Sequence, residues 1–380
     1  MPSLRVGLFS EVYSPVVNGV VASLDALKAG LLTRGYDVHC FAPRIPGVND
    51  DDTSFTCLPS LPLPHRAPYR LTLPVIGRSD LDDIISGLNV IHAHSFFVTG
   101  WMAWRYARRY SIPFVLTYHT QLDAYAHYIP FEPHATRYAA GELTRLLANR
   151  ADAVIAPTFA VRERLRGLGV TSRIEVIPSG VDVAKFAQGV RDDAWRASLG
   201  VAKHERLLLT VARIAVEKKL DVLVDAVAQL SDPSVHLVIV GDGPERDALQ
   251  AQIDHLALSD RIHLAGFIDR VALPNIYASA DAFVFASTSE TQGIVFAEAL
   301  AAGLPIIAAS IGSNIEVLGE NALLVPAEPE AFAKAMNDLL AGRHPDLAKR
   351  AALAASEFSL DRQADRTSAV YHSLQVPILA

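Results

Sequence analysis

The chain has 380 residues, more than one ordinary core accommodates and about right for two domains. Its 51% hydrophobic and 20% charged residues, with Gly and Pro spread evenly, exclude a low-complexity or disordered protein. The two cysteines, Cys40 and Cys57, are too few for a disulfide framework or a zinc site, and a net charge of −7 without a recognised binding motif argues against a nucleic-acid partner.

The opening "MPSLRVGLFSEVYSP" carries a short apolar run that Glu11 interrupts, so it reads as a first β-strand rather than a signal peptide. Further short apolar runs follow: "DVHCFAP", "NVIHAHS", "PFVLTYH", "AVIAPT" and "IEVIPS", then "RLLLTVAR", "VHLVIVG", "IHLAG", "AFVFAS" and "LPIIAAS". Helical patterns separate them. Runs that are apolar on both faces are those of parallel strands covered by helices. The pattern restarts after "VIPSGVDVAKF". The expectation is an α/β protein of two Rossmann-like doubly wound domains facing a central cleft, with boundaries at 1–183 and 184–359. No run reaches the roughly 18 apolar residues of a spanning helix; the nearest, "ALAAGLPIIAASIG", is cut by Gly303 and Pro305. A reducing cytoplasm is the expected compartment.

Charge divides unevenly. Residues 1–190 hold 18 Lys and Arg against 16 Asp and Glu, and residues 191–380 hold 16 against 25. In the more basic half, Arg clusters with aromatics in "WMAWRYARRYSIPF" and with prolines in "LPLPHRAPYRLTLPVIGR". Such a surface suits anionic lipid headgroups, and it also suits the solvated face of an ordinary helix.

In open α/β sheets ligands bind beyond the carboxyl ends of strands, and each motif of interest follows a strand. After the first, Asn18-Gly19 precedes a helix with apolar Val20, Leu24, Leu27 and Leu31, where Gly19 either admits a phosphate or sugar to the backbone or makes a plain β–α turn. His119 follows "VLTY" and is either a ligand contact or a cap; His92 and His94 share one strand face, with no third residue at zinc-site spacing. Arg213 and Lys218 leave "LLLTV" five residues apart, a fork and a point charge suited to a diphosphate, with Lys219 beside them as a helix-surface charge. "VGDGPER", with Gly241, opens like a dinucleotide fingerprint but places Arg246 where the third glycine belongs, which disfavours a dehydrogenase. "NDDDT" at 49–53 reads as a solvated acidic turn. Last, "SETQGIVFAEAL" sets Glu290 and Glu298 on either side of a glycine turn. The backbone N–H groups of Gly293, Ile294 and Val295 are there poised for an anion. Two carboxylates flanking a diphosphate accept hydrogen bonds from hydroxyls, so the ligand reads as a nucleotide sugar.

With these residues in hand, the chain resembles the family 4 retaining glycosyltransferases of the B-type fold. The resemblance rests on E-x7-E at Glu290 and Glu298 followed by "ALAAGLPIIA", with "IPSGVD", "ARIAVEK", "VGDGP" and "LAGFI" in the family's order. It implies that Arg213 and Lys218 hold the diphosphate, Glu298 the ribose and Glu290 the sugar hydroxyls. Gly241, Gly266 and Phe267 would line the donor, the last two by the base, with Gly19 at the phosphate and His119 at the sugar. The family's last helix, here 360–380, would pack back on an N-terminal, acceptor-binding, membrane-associating domain; 184–359 would bind the donor.

Gln292 stands where most members have an aromatic, and "ETQG" with "TYHTQLDAYAHYI" is similar to the bacterial diacylglycerol α-glucosyltransferase branch. That branch implies transfer of glucose from UDP-glucose to a lipid hydroxyl with retention, on the inner face of the cell membrane, without a cofactor or metal. It leaves the acceptor-binding residues unassigned. The alternatives are a hexosyl- or mannosyltransferase acting on phosphatidylinositol or a soluble sugar, and a nucleotide-sugar epimerase, which E-x7-E disfavours.

Overall fold

The structure is a computed structural model, and it describes residues 4–16, 18–43, 52–63, 69–74, 77–119 and 133–375. Parts of four expectations lie outside the described residues: 49–51 of the acidic turn, 64–68 and 75–76 of the Pro-Arg segment, 120–129 of the segment after His119, and 376–380 of the last helix. The chain forms two units, Met1–Gly180 with Leu360–Ala380, and Val181–Ser359.

In the first unit, β1 (Arg5–Phe9), β2 (Asp37–Pro43) and β3 (Phe55–Leu58) precede a small ribbon, β4 (Ser60–Pro62) with β5 (Arg70–Thr72). β6 (Val90–Ala93), β7 (Phe114–Thr117), β8 (Ala153–Ala156) and β9 (Ile174–Val176) follow. The main sheet runs β3-β2-β1-β6-β7-β8-β9, each pairing parallel. Alternation sorts its side chains to two cores. Phe9, Ile91 and Leu116 go to one face and Val6, Leu8, Val38 and Val115 to the other. The last helix, Leu360–Gln375, lies on the helix Gly19–Thr33. A Cβ at Gly30 would come within 2.7 Å of Ala364, so glycine is what allows the two helices to approach so closely. Arg34 ties the seam through Asp365 at 2.7 Å and Asp361 at 3.0 Å.

The second unit is built from β10 (Arg206–Val211), β11 (Val235–Val240), β12 (Ile262–Gly266), β13 (Ala282–Phe285), β14 (Ile306–Ala309) and β15 (Leu323–Val325). Its parallel sheet runs β12-β11-β10-β13-β14-β15. Leu207 and Leu209 pack on the face of the helix Ile294–Ala301, and Leu208 on the face of the helix Leu220–Ala228. Each such fully buried side chain contributes about 1.5–3 kcal/mol, which is why both helices read as nearly continuous apolar runs. Strand order reverses between β10 and β13. In open α/β sheets the carboxyl edge at such a reversal is where ligands bind. Among the described residues no helix is long and apolar enough to cross a membrane.

Candidate active site

The loops that leave β10 and β13 meet at this switch point. From β10 the chain passes Arg213, which is exposed, and turns through the 3-10 segment Val216–Lys218. From β13 it passes Ser287 and Glu290 before the helix Ile294–Ala301 begins. Lys218 Nζ donates to Glu290 Oε1 at 2.6 Å, with only 16% and 12% of the two side chains exposed. Ser287 Oγ donates to the same oxygen at 2.7 Å, and Ser313 Oγ donates to the Glu290 carbonyl at 2.8 Å. Asn314 Nδ2, fully buried, donates to the carbonyls of Ser287 and Ala309. A charged pair this far from water is held by such supporting bonds, and removing one partner leaves an uncompensated charge.

Gly293 caps the helix with φ +74°, and a Cβ there would meet the Phe296 ring at 2.6 Å. No side chain caps this helix, and its first turn holds no acid, so the N–H groups at Ile294 and Val295 present the positive end of the helix dipole beside Glu290.

Glu298, one turn further, is 2% exposed, and both its oxygens are engaged within the unit. Tyr277 OH donates to Oε2 at 2.9 Å, and Arg270 Nη2 lies 3.3 Å from Oε1. Burial pushes the Glu298 carboxyl above its ordinary value, against the pull of Arg270 and Tyr277. Burial likewise drives the Tyr277 hydroxyl well up, so it stays a donor. The carboxylate retains lone pairs for further hydroxyls.

The glycines of "VGDGP" have a different explanation from a phosphate fingerprint. A Cβ at Gly241, where φ is +136°, would fall 1.9 Å from the Ala212 carbonyl oxygen, and one at Gly243 would fall 2.1 Å from that of Ile214. The turn after β11 thus presses its backbone on the loop that carries Arg213. Ala212 N donates to the Val240 carbonyl at 3.0 Å and Ile214 N to that of Asp242 at 3.0 Å. Gly241 positions the Arg213 loop, and Arg246 Nη2 donates to the Leu264 carbonyl. Gly266 ends β12 at φ +71°, accepts from Gly241 N at 2.8 Å, and is followed by the exposed Phe267.

In the first unit, Asn18 Oδ1 accepts from Val21 N at 3.0 Å and caps the helix Gly19–Thr33, worth about 1 kcal/mol. Among the described residues nothing lies within 4 Å of a Cβ at Gly19, so their packing does not demand glycine there. At the ends of β6 and β7 three histidines gather. His92 Nδ1 bonds the Tyr371 hydroxyl at 2.7 Å and its Nε2 bonds Thr117 Oγ1 at 2.6 Å, which leaves neither nitrogen for a metal. His94 Nδ1 and His119 Nε2 lie 2.8 Å apart with their rings stacked. Burial lowers His92 to about 3 and His119 to about 4 and takes His94 well below its ordinary value, so all are neutral imidazoles near pH 7.

Sequence reasoning did not single out Arg270, Tyr277, Ser287, Ser313 or Asn314. Each is a lone polar residue in a loop or short helix, and only the folded register brings Arg270 and Tyr277 to Glu298, Ser287 and Ser313 to Glu290, and Asn314 to the Ser287 carbonyl.

Residues 17–185 match the family model described as Glycosyltransferase Family 4, and residues 191–357 match that of the Glycosyl transferases group 1. The α-monoglucosyldiacylglycerol synthase of Acholeplasma laidlawii is 33% identical over 319 residues, 80% of either chain. A GDP-mannose-dependent α-(1-6)-phosphatidylinositol dimannoside mannosyltransferase of Mycobacterium tuberculosis is 28% identical over 89% of this chain and 88% of its own. Among solved structures, an Anabaena protein in complex with UDP-glucose superimposes with a TM-score of 0.77 at 21% identity, covering 97% of this chain and all of the other, a likeness of fold. Two family models side by side, a relative one-third identical along most of its length and the two Rossmann-like sheets together show that this chain belongs to the family 4 glycosyltransferases.

Proposed function

We propose that the chain transfers glucose from UDP-glucose to the free hydroxyl of a membrane lipid, with diacylglycerol as the first choice, and retains the α configuration. The single observation that carries the donor side is the Lys218–Glu290 pair at the switch point, next to an uncapped helix N-terminus. The acceptor rests on the 33% identity to an α-monoglucosyldiacylglycerol synthase. Arg213 and Lys218 grip the diphosphate and Ile294 and Val295 N–H groups face it. Glu290 accepts from the sugar hydroxyls and Glu298 from those of the ribose. Gly241 shapes the Arg213 loop, and Gly266 and Phe267 lie by the base. To His119 and Gly19 we assign the sugar and the phosphate.

In the transfer the bond from the anomeric carbon to the phosphate oxygen breaks and a bond to the acceptor oxygen forms on the same face. The acceptor proton passes to the departing phosphate. Fixed cations and oriented N–H groups then stabilise the charge that develops on the leaving group. This assigns to the chain's own side chains the work a resident metal would do, and the likeness to a glycolipid synthase is what supports setting the reaction at the inner face of an anionic membrane.

A second reading, mannosyl transfer from GDP-mannose to a phosphatidylinositol lipid, is favoured by the mycobacterial relative. The test offers UDP-glucose, UDP-galactose and GDP-mannose separately with diacylglycerol or phosphatidylinositol in anionic vesicles, then chromatographs the lipid. A glycolipid with UDP-glucose alone, undiminished by EDTA, is expected. Product from GDP-mannose alone would move the assignment to the second reading, and loss of product in EDTA would overturn the metal-free scheme.

A further inference from the structure

Side chains alternate along a strand, so His92 and His94 leave β6 on one face. β6 pairs with β7 as His92 with Val115 and Ala93 with Leu116, which carries His94 to the end of β7, where His119 follows Thr117 by two residues. His94 N donates to the Phe9 carbonyl at 2.8 Å and fixes the backbone there. The rings of His94 and His119 then stack with centroids 5.1 Å apart at 19°, and His94 Nδ1 lies 2.8 Å from His119 Nε2. The His92 ring, pinned by Tyr371 and Thr117, packs on that of His94 with centroids 4.2 Å apart. His94 is 4% exposed, so these neighbours and not water set its ring.

Burial keeps both rings neutral near pH 7, and a bond between two neutral imidazoles needs one donor and one acceptor. The remaining nitrogen of His94 decides which is which. Nε2 is buried and has no hydrogen-bond partner among the described residues. Were Nδ1 the acceptor, Nε2 would carry the proton as a buried N–H with nothing to bond. Such donors are rare in folded proteins, whereas an unused lone pair is better tolerated. His94 Nδ1–H therefore donates, His119 Nε2 accepts, and the single proton of the His119 ring sits on Nδ1.

We propose that His94 is a positioning residue that fixes His119 in this tautomer, an inference that rests on the assignment of His119 to the donor sugar. His119 then offers the sugar an N–H and acts as a hydrogen-bond donor. Histidine is the side chain most often used as a general base, but here the one lone pair that could take a proton is occupied by His94. The acceptor proton is thus left to the departing phosphate.

The experiment uses the full chain, isotope-labelled in its histidine nitrogens, and reads by NMR which ring nitrogen of His119 carries the proton, its signals being identified by their loss in His119→Asn. A protonated Nδ1 and a bare Nε2 are expected. His94→Phe keeps a ring against His119 and removes the bond. In that variant a mixture of both tautomers is expected, and kcat/KM for UDP-glucose is expected to fall on the order of tenfold, the effect of one lost hydrogen bond. His94→Asn, whose amide N–H reaches where Nδ1 lies, is expected to restore most of that loss. His94→Gln, whose amide reaches where Nε2 lies, is expected to restore none. A proton on Nε2 of wild-type His119 would overturn the proposal, as would equal rates in the Asn and Gln variants, the mark of a merely structural histidine. Wild-type His119 protonated on Nδ1 in a chain that makes no glycolipid from any donor would sink the glucosyl-transfer reading and leave the tautomer assignment standing.

Discussion

Replacing Lys218 by alanine is expected to lower kcat about 10²–10³-fold, or about 2–4 kcal/mol of barrier, the effect of losing one fixed donor to a developing anion. Arg213→Ala, on the exposed part of the same loop, is expected to act in the same direction. The Lys218 change has a second consequence that the structure makes specific. Glu290, now 12% exposed, would keep Ser287 as a donor and lose its bond to Lys218, and breaking such a pair costs about 3–5 kcal/mol of stability. Adding Glu290→Gln removes the carboxylate of the broken pair. The double variant is therefore expected to regain part of the lost stability while kcat stays low. Urea midpoints and single-turnover rates across the four-way cycle check this, and the coupling energy isolates the pair. Wild-type kcat in Lys218→Ala and Arg213→Ala would remove both residues from the diphosphate.

The second large effect concerns Glu298. Arg270 is the cation that opposes burial at this carboxyl, and the other group facing it is the Tyr277 hydroxyl. In Arg270→Gln the folded-state value of Glu298 moves further above its ordinary 4.5. A protonated Glu298 accepts ribose hydroxyls poorly, so KM for the donor is expected to rise as pH falls through that value and to recover toward alkaline pH. Stability moves with KM. The folded state of the variant binds more protons than the unfolded chain between 4.5 and the raised folded value, so stability falls as pH rises across this window. A KM and a melting midpoint that both fall as pH rises across this window are the signature of a titrating Glu298. Slopes of opposite sign, or a flat KM profile, would show that Arg270 does not act through this carboxylate.

What the sequence made legible follows from burial. β10, "RLLLTV", is covered on both faces, so its apolar run stands out without any pattern of alternation. β15 and the ribbon strands have three residues each, all or mostly half-exposed or exposed, and no period can be read from three residues. The sequence marked Lys218 as a diphosphate cation and Glu290 as part of E-x7-E, but not that the two side chains touch. Their 2.6 Å contact spans 72 residues and depends on β10 lying beside β13 rather than β11 alone, a matter of sheet order. Gly241 and Gly243 look like phosphate-loop glycines in sequence because a turn packed on another backbone needs the same missing Cβ. Arg270 left no trace, since one arginine in a loop carries no period and its partner lies in another element.

The most direct test of the account is the anomeric configuration of the lipid product that wild-type enzyme forms from UDP-glucose and diacylglycerol, read from the proton coupling at the anomeric carbon. An α-linked glucosyl lipid is predicted, because the donor is α-linked and the acceptor attacks from the face the phosphate leaves. A β-linked product, or nucleoside diphosphate released with no lipid product at all, would contradict it.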